Sequence, residues 1–240
     1  MAKRGKKYRA AEAKIDRETQ YSPKAGFALL KEINQLAYDP TVELVFNLGI
    51  DPRKADQMVR GAISLPHGIG KEVRVAAIVN AGKVGEAEEA GADVVGGEEL
   101  LEDIEALIED IDSIIATPDM MGNLGRHGKV LGPRGLMPNP KAGTVTMDVG
   151  KAVSEIKAGR IEYRSDRNGN VHTVIGKASF DVDKLADNYT AMVEEITRQR
   201  PAAAKGRYFE SVTISTSASP SIPMNPKAVL DDEDIDLVTA

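Results

Sequence analysis

VRVAAIVNAGKVGEAEEAGADVVGGEELLEDIEALIEDIDSIIAT, residues 73–117, is the stretch that settles the fold class. VRVAAIV (73–79) is nearly all apolar, as a strand covered on both faces of a parallel sheet would be. A helix near Gly85 to Ala90 ends at Gly91. The strand ADVV (92–95), the helix GEELLEDIEALIED (97–110) and the strand SIIAT (113–117) follow. Strands and helices alternating over short connections predict β-α-β-α-β, a small doubly wound α/β unit.

The run TPDMMGNLGRHGKVLGPRGLMPNPKAG (117–143) leaves the third of these strands, where such sheets place their binding crevice. Six glycines and four prolines in this run predict an ordered loop with several special backbone angles rather than a long regular element. Its basic side chains Arg126, His127, Lys129, Arg134 and Lys141 suit a phosphate, whether of a nucleotide or of a nucleic-acid backbone. They equally suit a solvated surface. Past the run, Asp148 is placed to cap a helix with Val149, Val153 and Ile156 facing inward, and Ala158-Gly159 closes the unit.

On either side the pattern changes. The opening basic segment KRGKKYR leads into a short helix through Arg17 and reads as a solubility tail or as an RNA-touching arm. Ser22-Pro23 starts a helix, with Phe27, Leu30, Ile33 and Leu36 or Ala37 on its apolar face, that stops before Asp39-Pro40. Residues 41–48 alternate as a half-buried strand, PRKADQMVR (52–60) reads as a helix capped by Asp51, and AISLP (62–66) as a short strand. Beyond Gly159 come a hairpin, RIEYRS and VHTVIG about the turn Asn168-Gly169, then an amphipathic helix from Asp181 to Arg200, and a last strand RYFESVTIST (207–216). The fold class is therefore mixed. A discontinuous α+β domain, 1–67 plus 160–230, holds an inserted parallel α/β domain, 68–159, and an acidic tail, 231–240, lacks the pattern needed to fold. Gly68, Gly70 and Gly159 mark the two links and are expected to act as a hinge.

Charge follows the same division. The chain carries a net −6, yet residues 1–67 carry 12 basic and 8 acidic side chains and residues 160–230 carry 10 and 8, whereas 68–159 carry 9 against 16. A basic discontinuous domain beside an acidic insert points to partners rather than to fold. The chain has no cysteine, which removes disulfides, thiolate metal sites and a cysteine nucleophile. No apolar run approaches the length of a membrane span and no apolar segment follows the first charges, so the chain reads as a cytoplasmic protein with no membrane partner.

No catalytic constellation stands out. The glycines fit neither dinucleotide-binding nor phosphate-loop spacing, and His127 has no Ser, Cys or carboxylate placed by pattern as a partner. No catalytic residue, cofactor or metal is expected, and a nucleotide-binding enzyme using the middle unit is kept as the alternative. Nucleic-acid binding needs only a rigid basic face with a few aromatic and polar groups. Tyr38 before the first strand, Arg53 and Lys54 at a helix N-terminus, Arg164 and His172 on the hairpin, Lys177, and the hydroxyl-rich end of the last strand supply one.

LGPRGLMPNPKAGTV (131–145), with LGIDPRKADQMVRG (48–61), LPHG (65–68), ATPDMM (116–121) and GKASF (176–180), resembles the bacterial type of the ribosomal protein L-one family, from about Lys7 to about Pro226. The resemblance implies a discontinuous domain with a Rossmann-like insert. It further implies a protein, monomeric when free, that binds large-subunit rRNA in the mobile stalk of the large ribosomal subunit. Exit-site tRNA release and translational repression through the mRNA of its own operon belong to the same implication. It places the main RNA contact on the discontinuous domain, with Tyr38 at the aromatic position, Ser211 as the last-strand hydroxyl, and Ser217, Ala218 and Ser219 where the family has Thr-Met-Gly. That triplet departs from the family, because Ala218 lacks the bulk of Met and Ser219 takes positive φ less easily than Gly. Arg126, Lys129, Arg134 and Lys141 are left as a secondary RNA face.

Overall fold

The computed structural model describes residues 4–102 and 104–229, so the acidic stretch 231–240 lies outside the described residues. The chain divides into two compact units, one of residues up to Gly70 and from Ile161 onward, the other Lys71–Arg160. In chain order the first unit opens with α1 (Lys6–Glu12), α2 (Pro23–Ile33), β1 (Thr41–Leu48) and β2 (Arg60–Ser64). The second holds β3 (Val75–Ile78), α3 (Val84–Glu89), β4 (Val94–Gly96), α4 (Glu99–Glu102), α5 (Ile104–Leu107), β5 (Ser113–Ala116), α6 (Met121–Leu124), α7 (Gly128–Leu131) and α8 (Val149–Lys157). The chain then returns to the first through β6 (Arg160–Arg164), β7 (Asn170–Lys177), α9 (Val182–Arg198), β8 (Phe209–Thr216) and β9 (Ile222–Met224).

The first unit is built on an antiparallel sheet of order β7-β1-β8-β9. Alternation along β1 buries Val42, Leu44, Phe46 and Leu48, and their cross-strand neighbours Val171, Thr173, Val212 and Ile214 are buried with them. Helices α2 and α9 cover that face with Phe27, Leu30 and Ile33 from one and Leu185, Tyr189, Met192, Val193 and Ile196 from the other. Each such side chain stabilises the fold by about 1.5–3 kcal/mol relative to exposure. Phe27 meets Tyr189 edge-on, with centroids 6.1 Å apart, where the two helices touch. Helix α1 is no loose arm, since its Ala11 and, just beyond it, Ile15 are buried in the same core.

Three local expectations fail here, each through a polar side chain. Helix α2 ends at Ile33, because the Asn34 carboxamide oxygen accepts from the Leu36 N–H at 3.2 Å, so Leu36 and Ala37 leave the helical face. Residues 52–57 form successive turns rather than a helix, and Arg60 already begins β2. The Asp51 carboxylate accepts from Arg53 N–H, and the Gln57 side-chain carboxamide oxygen takes the Asp51 N–H at 2.8 Å. Arg53 and Lys54 therefore stand on a loop, without a helix N-terminus behind them. The hairpin about Asn168-Gly169 keeps its turn, with Gly169 at φ 82, but its strands part after one bridge between Ser165 and Val171. Strand β6 pairs with β2 in a separate two-stranded sheet, held by Tyr163, which is buried and donates to Glu195 of α9 at 2.7 Å.

The second unit has the parallel order β4-β3-β5. Val75, Ala76, Ala77 and Ile78 are wholly buried, between one core under α4 to α7 and another under α3 and α8. After its long excursion the chain returns to the free edge of β5, where Ala116 N–H donates to Thr144 O and Thr146 N–H to Ala116 O, at 2.9 and 3.2 Å.

The Gly-rich run is not a loop of special angles. From Pro118 to Leu131 it winds through consecutive 3-10 and α turns, with Gly125, Gly128 and Gly132 all right-handed. Met120, Leu124 and Leu131 recur at helical spacing and are buried, and that burial outweighs about 1 kcal/mol lost at each glycine. Only Gly135 and Gly143 of this run have positive φ.

Helix α8 also differs from expectation in detail. Asp148 makes no capping hydrogen bond, and Glu86 of α3 instead accepts from the Gly150 N–H at 3.1 Å. The Lys83 ammonium and that N–H hold the Glu86 carboxyl below its usual range, and the Val75 N–H does the same for Asp93, aided by Lys157 against the opposing effect of burial. A depressed folded pKa means stability that is present above the unfolded value and is lost as pH falls through the folded one. Unfolding titrations are thus expected to show this unit weakening below pH ~4, and the double variant Glu86→Gln, Asp93→Asn should flatten that dependence.

Candidate nucleic-acid interface

The face of the four-stranded sheet turned away from α2 and α9 is polar. Its cross-strand rows follow from the register. Asn170, Asn47 and Ser211 form one, His172, Val45, Thr213 and Pro223 the next, then Val174, Glu43 and Ser215, and finally Lys177 with Thr41. The rows carry hydroxyls, amides, one imidazole, one ammonium and a single carboxylate. Lys177 Nζ donates to Thr41 Oγ1 at 2.9 Å, fixing the ammonium at the rim. Sheet hydroxyls and amides at a spacing set by the strands allow close approach to ribose and phosphate oxygens.

One end of this face gathers much of what the sequence singled out. Tyr38 precedes β1, Lys177 ends β7, and Ser217 to Ser219 follow β8, all at the same end of the strands. Tyr38 is 59% exposed, a large ring left in solvent. Asp39 beside it binds Ser179 through both the backbone N–H and the hydroxyl, at 2.9 and 2.6 Å, tying the two segments together.

The triplet forms a turn closed by Ser219 N–H to Thr216 O at 3.0 Å, and the Ser219 hydroxyl accepts from the Thr216 N–H. Positive φ falls on Ala218, at 64°, not on Ser219. The left-handed geometry therefore survives one residue earlier than the resemblance suggested, at a cost of about 1–2 kcal/mol for a residue with a Cβ.

Other candidates lie apart. Ser211, paired with Asn47, is at the opposite end of the face, roughly 20 Å away at 3.3 Å per strand residue. Arg53 and Lys54 stand on the loop beyond that end, His172 is mid-face and exposed, and Arg164 belongs to the two-stranded sheet. Sequence reading did not name Thr41, Glu43, Val45, Asn47 or Asn170 as candidates, and it reached Thr213 and Ser215 only as part of the hydroxyl-rich end of the last strand. The alternation that assigned Val42, Leu44 and Phe46 to the core already assigned their neighbours to the other face.

In the second unit the crevice beyond the strand ends holds a cavity of about 250 Å³ lined by Glu98, Leu101, Asn123, Arg126 and His127. It lacks a phosphate cradle, because the N–H groups of Gly125, Gly128 and Gly132 donate to Met121, Gly125 and Gly128 carbonyls. Six of this unit's ten Lys and Arg are ion-paired: Lys71, Arg74, Lys83, Lys151, Lys157 and Arg160. Arg126, Lys129, Arg134 and Lys141 are exposed and have no acidic partner among the described residues. No cluster of three or more metal-ligating side chains and no helix long and apolar enough to cross a membrane occur among the described residues.

An open polar sheet face on one unit and a helix-flanked parallel sheet on the other agree with the class to which comparison assigns the chain, the ribosomal proteins. A family model described as "Ribosomal protein L1p/L10e family" matches residues 20–220, and the chain belongs to that family. It is 54% identical over 226 residues to "Large ribosomal subunit protein uL1" of Thermobifida fusca, covering 94% of this chain and 96% of that one. The protein of the same name from Kocuria rhizophila is 54% identical over 229 residues, 95% of this chain and 97% of its own. That from Streptomyces griseus is 54% identical over 223 residues, 93% of each. These are structural proteins of the ribosome, and the chain is not an enzyme.

Proposed function

We propose that the protein is a component of the large ribosomal subunit in the cytoplasm and that it binds large-subunit rRNA through the open sheet face of its first unit. The observation that carries this reading is the convergence of Tyr38, Lys177 and the Ser217–Ser219 turn at one end of a face whose paired rows hold a single carboxylate. Arg53, Lys54, Arg164, His172 and Ser211 extend the contact around it. As part of the mobile stalk, the protein takes part in release of exit-site tRNA and represses its own operon by offering the same face to the mRNA. The links at Gly68, Gly70 and Gly159 serve as the hinge, and Arg126, Lys129, Arg134 and Lys141 form a secondary RNA face on the second unit.

Charge reversal tests the division. Lys177→Glu is expected to weaken binding to a large-subunit rRNA transcript about ten-fold or more in filter-binding measurements. Arg134→Glu is expected to leave rRNA affinity within about two-fold and to slow or speed tRNA release from reconstituted ribosomes. Unchanged rRNA affinity in Lys177→Glu counts against the sheet face. Unchanged tRNA release in Arg134→Glu removes the secondary face.

A further inference from the structure

Beside the Ser217–Ser219 turn lies a groove of about 250 Å³, made where three distant segments meet: α1, the residues after α2, and the turn itself. Lys7 and Tyr8 form one wall, Asn34 and Gln35 another, Ser217 and Ala218 the third. Its size is below that of pockets that hold drug-sized ligands or dinucleotides and is enough for one planar base. No acidic side chain lines it. The Lys7 ammonium, the Gln35 amide, the Ser217 hydroxyl and the Tyr8 hydroxyl have no hydrogen-bond partner among the described residues, so donors and acceptors stand ready at its rim.

The aromatic wall is held in advance. The Arg4 guanidinium sits 4.6 Å from the Tyr8 ring centroid, and Arg4 is itself fixed to Glu12 at 2.6 Å. One face of the ring is thereby covered by a cation. A platform ordered before binding loses little side-chain entropy when a base stacks on it. The opposite wall is open because position 218 carries only a methyl group. With Ala218 at φ 64°, its Cβ lies on the groove wall, and a thioether side chain there would fill the space.

We infer that this groove accepts one unstacked base of the bound RNA, stacked against Tyr8 and contacted at its edge by Gln35 and Ser217. The inference rests on the rRNA-binding reading above and refines it, adding α1 to the interface and giving the Ala218 departure a positive role. A single-stranded or bulged nucleotide is the required chemistry, since a base within a helix presents no free face.

The test uses the full chain and a large-subunit rRNA transcript. The chain has no tryptophan, so Tyr8→Trp supplies a sole indole whose emission reports stacking. Addition of the transcript is expected to quench it, and the quench is expected to vanish in Tyr8→Trp combined with Ala218→Met. In binding measurements Tyr8→Ala should weaken affinity about ten-fold, Tyr8→Phe should stay within two-fold, and Ala218→Met should weaken affinity several-fold. Wild-type affinity in Tyr8→Ala, or tighter binding in Ala218→Met, overturns the groove while leaving the sheet face intact. Failure of the wild-type chain to bind the transcript overturns the broader reading instead.

Discussion

Between about 50 mM and about 200 mM salt, the affinity of the protein for large-subunit rRNA is expected to fall roughly a thousand-fold, the loss that follows when about six phosphates are neutralised by cations and their counterions released. The expectation is sharp because the whole chain is acidic, at −6. A protein repelled by phosphate overall binds it only if its positive groups are segregated, and those groups are available only if they lack partners inside the fold. In the first unit Lys6, Lys7, Arg53, Lys54, Arg164 and Arg167 enter no ion pair among the described residues, unlike Arg4, Lys14, Arg17 and Lys24. A salt-titrated binding isotherm measures the slope directly. Lys177→Glu should lower it by about one unit, whereas a flat profile would be incompatible with phosphate-led binding.

The second large effect concerns Asn188. It is wholly buried on the inner face of α9, accepts from the His67 N–H at 3.1 Å, and donates to Gly68 O and Ile175 O at 3.0 and 2.9 Å. The residues leading to the first link, at Gly68 and Gly70, are thus fastened to the first unit's core by one carboxamide. Asn188→Ala removes three hydrogen bonds and leaves buried groups unpaired, at a cost of about 3 kcal/mol. Urea unfolding should show that loss, and amide exchange at residues 65–70 should speed up. His67→Ala is the control. It breaks only the 2.8 Å pair with exposed Asp187, and surface pairs of this kind are worth about 0–1 kcal/mol. If both variants cost the same, the carboxamide is not the anchor.

Much of the architecture was legible in the chain. The two-residue period of 41–48 gave β1 to the residue, and the apolar run at 73–79 gave the buried central strand, because burial on one face or two leaves a direct mark on residue order. The helix from Asp181 was equally plain, though Asn188, a polar residue on its apolar stripe, passed unread. Propensity failed where side chains compete with the backbone. Asn34 cut α2 short, Asp51 and Gln57 turned an expected helix into successive turns, and in the Gly-rich run three buried side chains imposed helical turns on glycines that suggested the opposite.

The candidate interface was legible in part. Tyr38, Lys177 and Ser217 to Ser219 were named from type, position and family pattern, and the fold sets them at one end of the strands. The facing rows from Asn47 to Ser215 were implied by the same alternation that assigned the core. Arg164 and His172, neighbours across an expected hairpin, belong to different sheets, since the pairing of β6 with β2 rather than β7 is decided by where Tyr163 finds its buried partner.

By itself the sequence determined the family, the mixed fold class and the segregation of charge, all properties of composition and of order along the chain. Tertiary structure decided which cations remain unpaired, which residue of the Ser217–Ser219 turn takes the left-handed conformation, and that α1 closes a groove against it. Those depend on contacts between residues as far apart as Tyr8 and Ala218, and such contacts leave no periodic trace in a single sequence because each is satisfied by only one pair of positions.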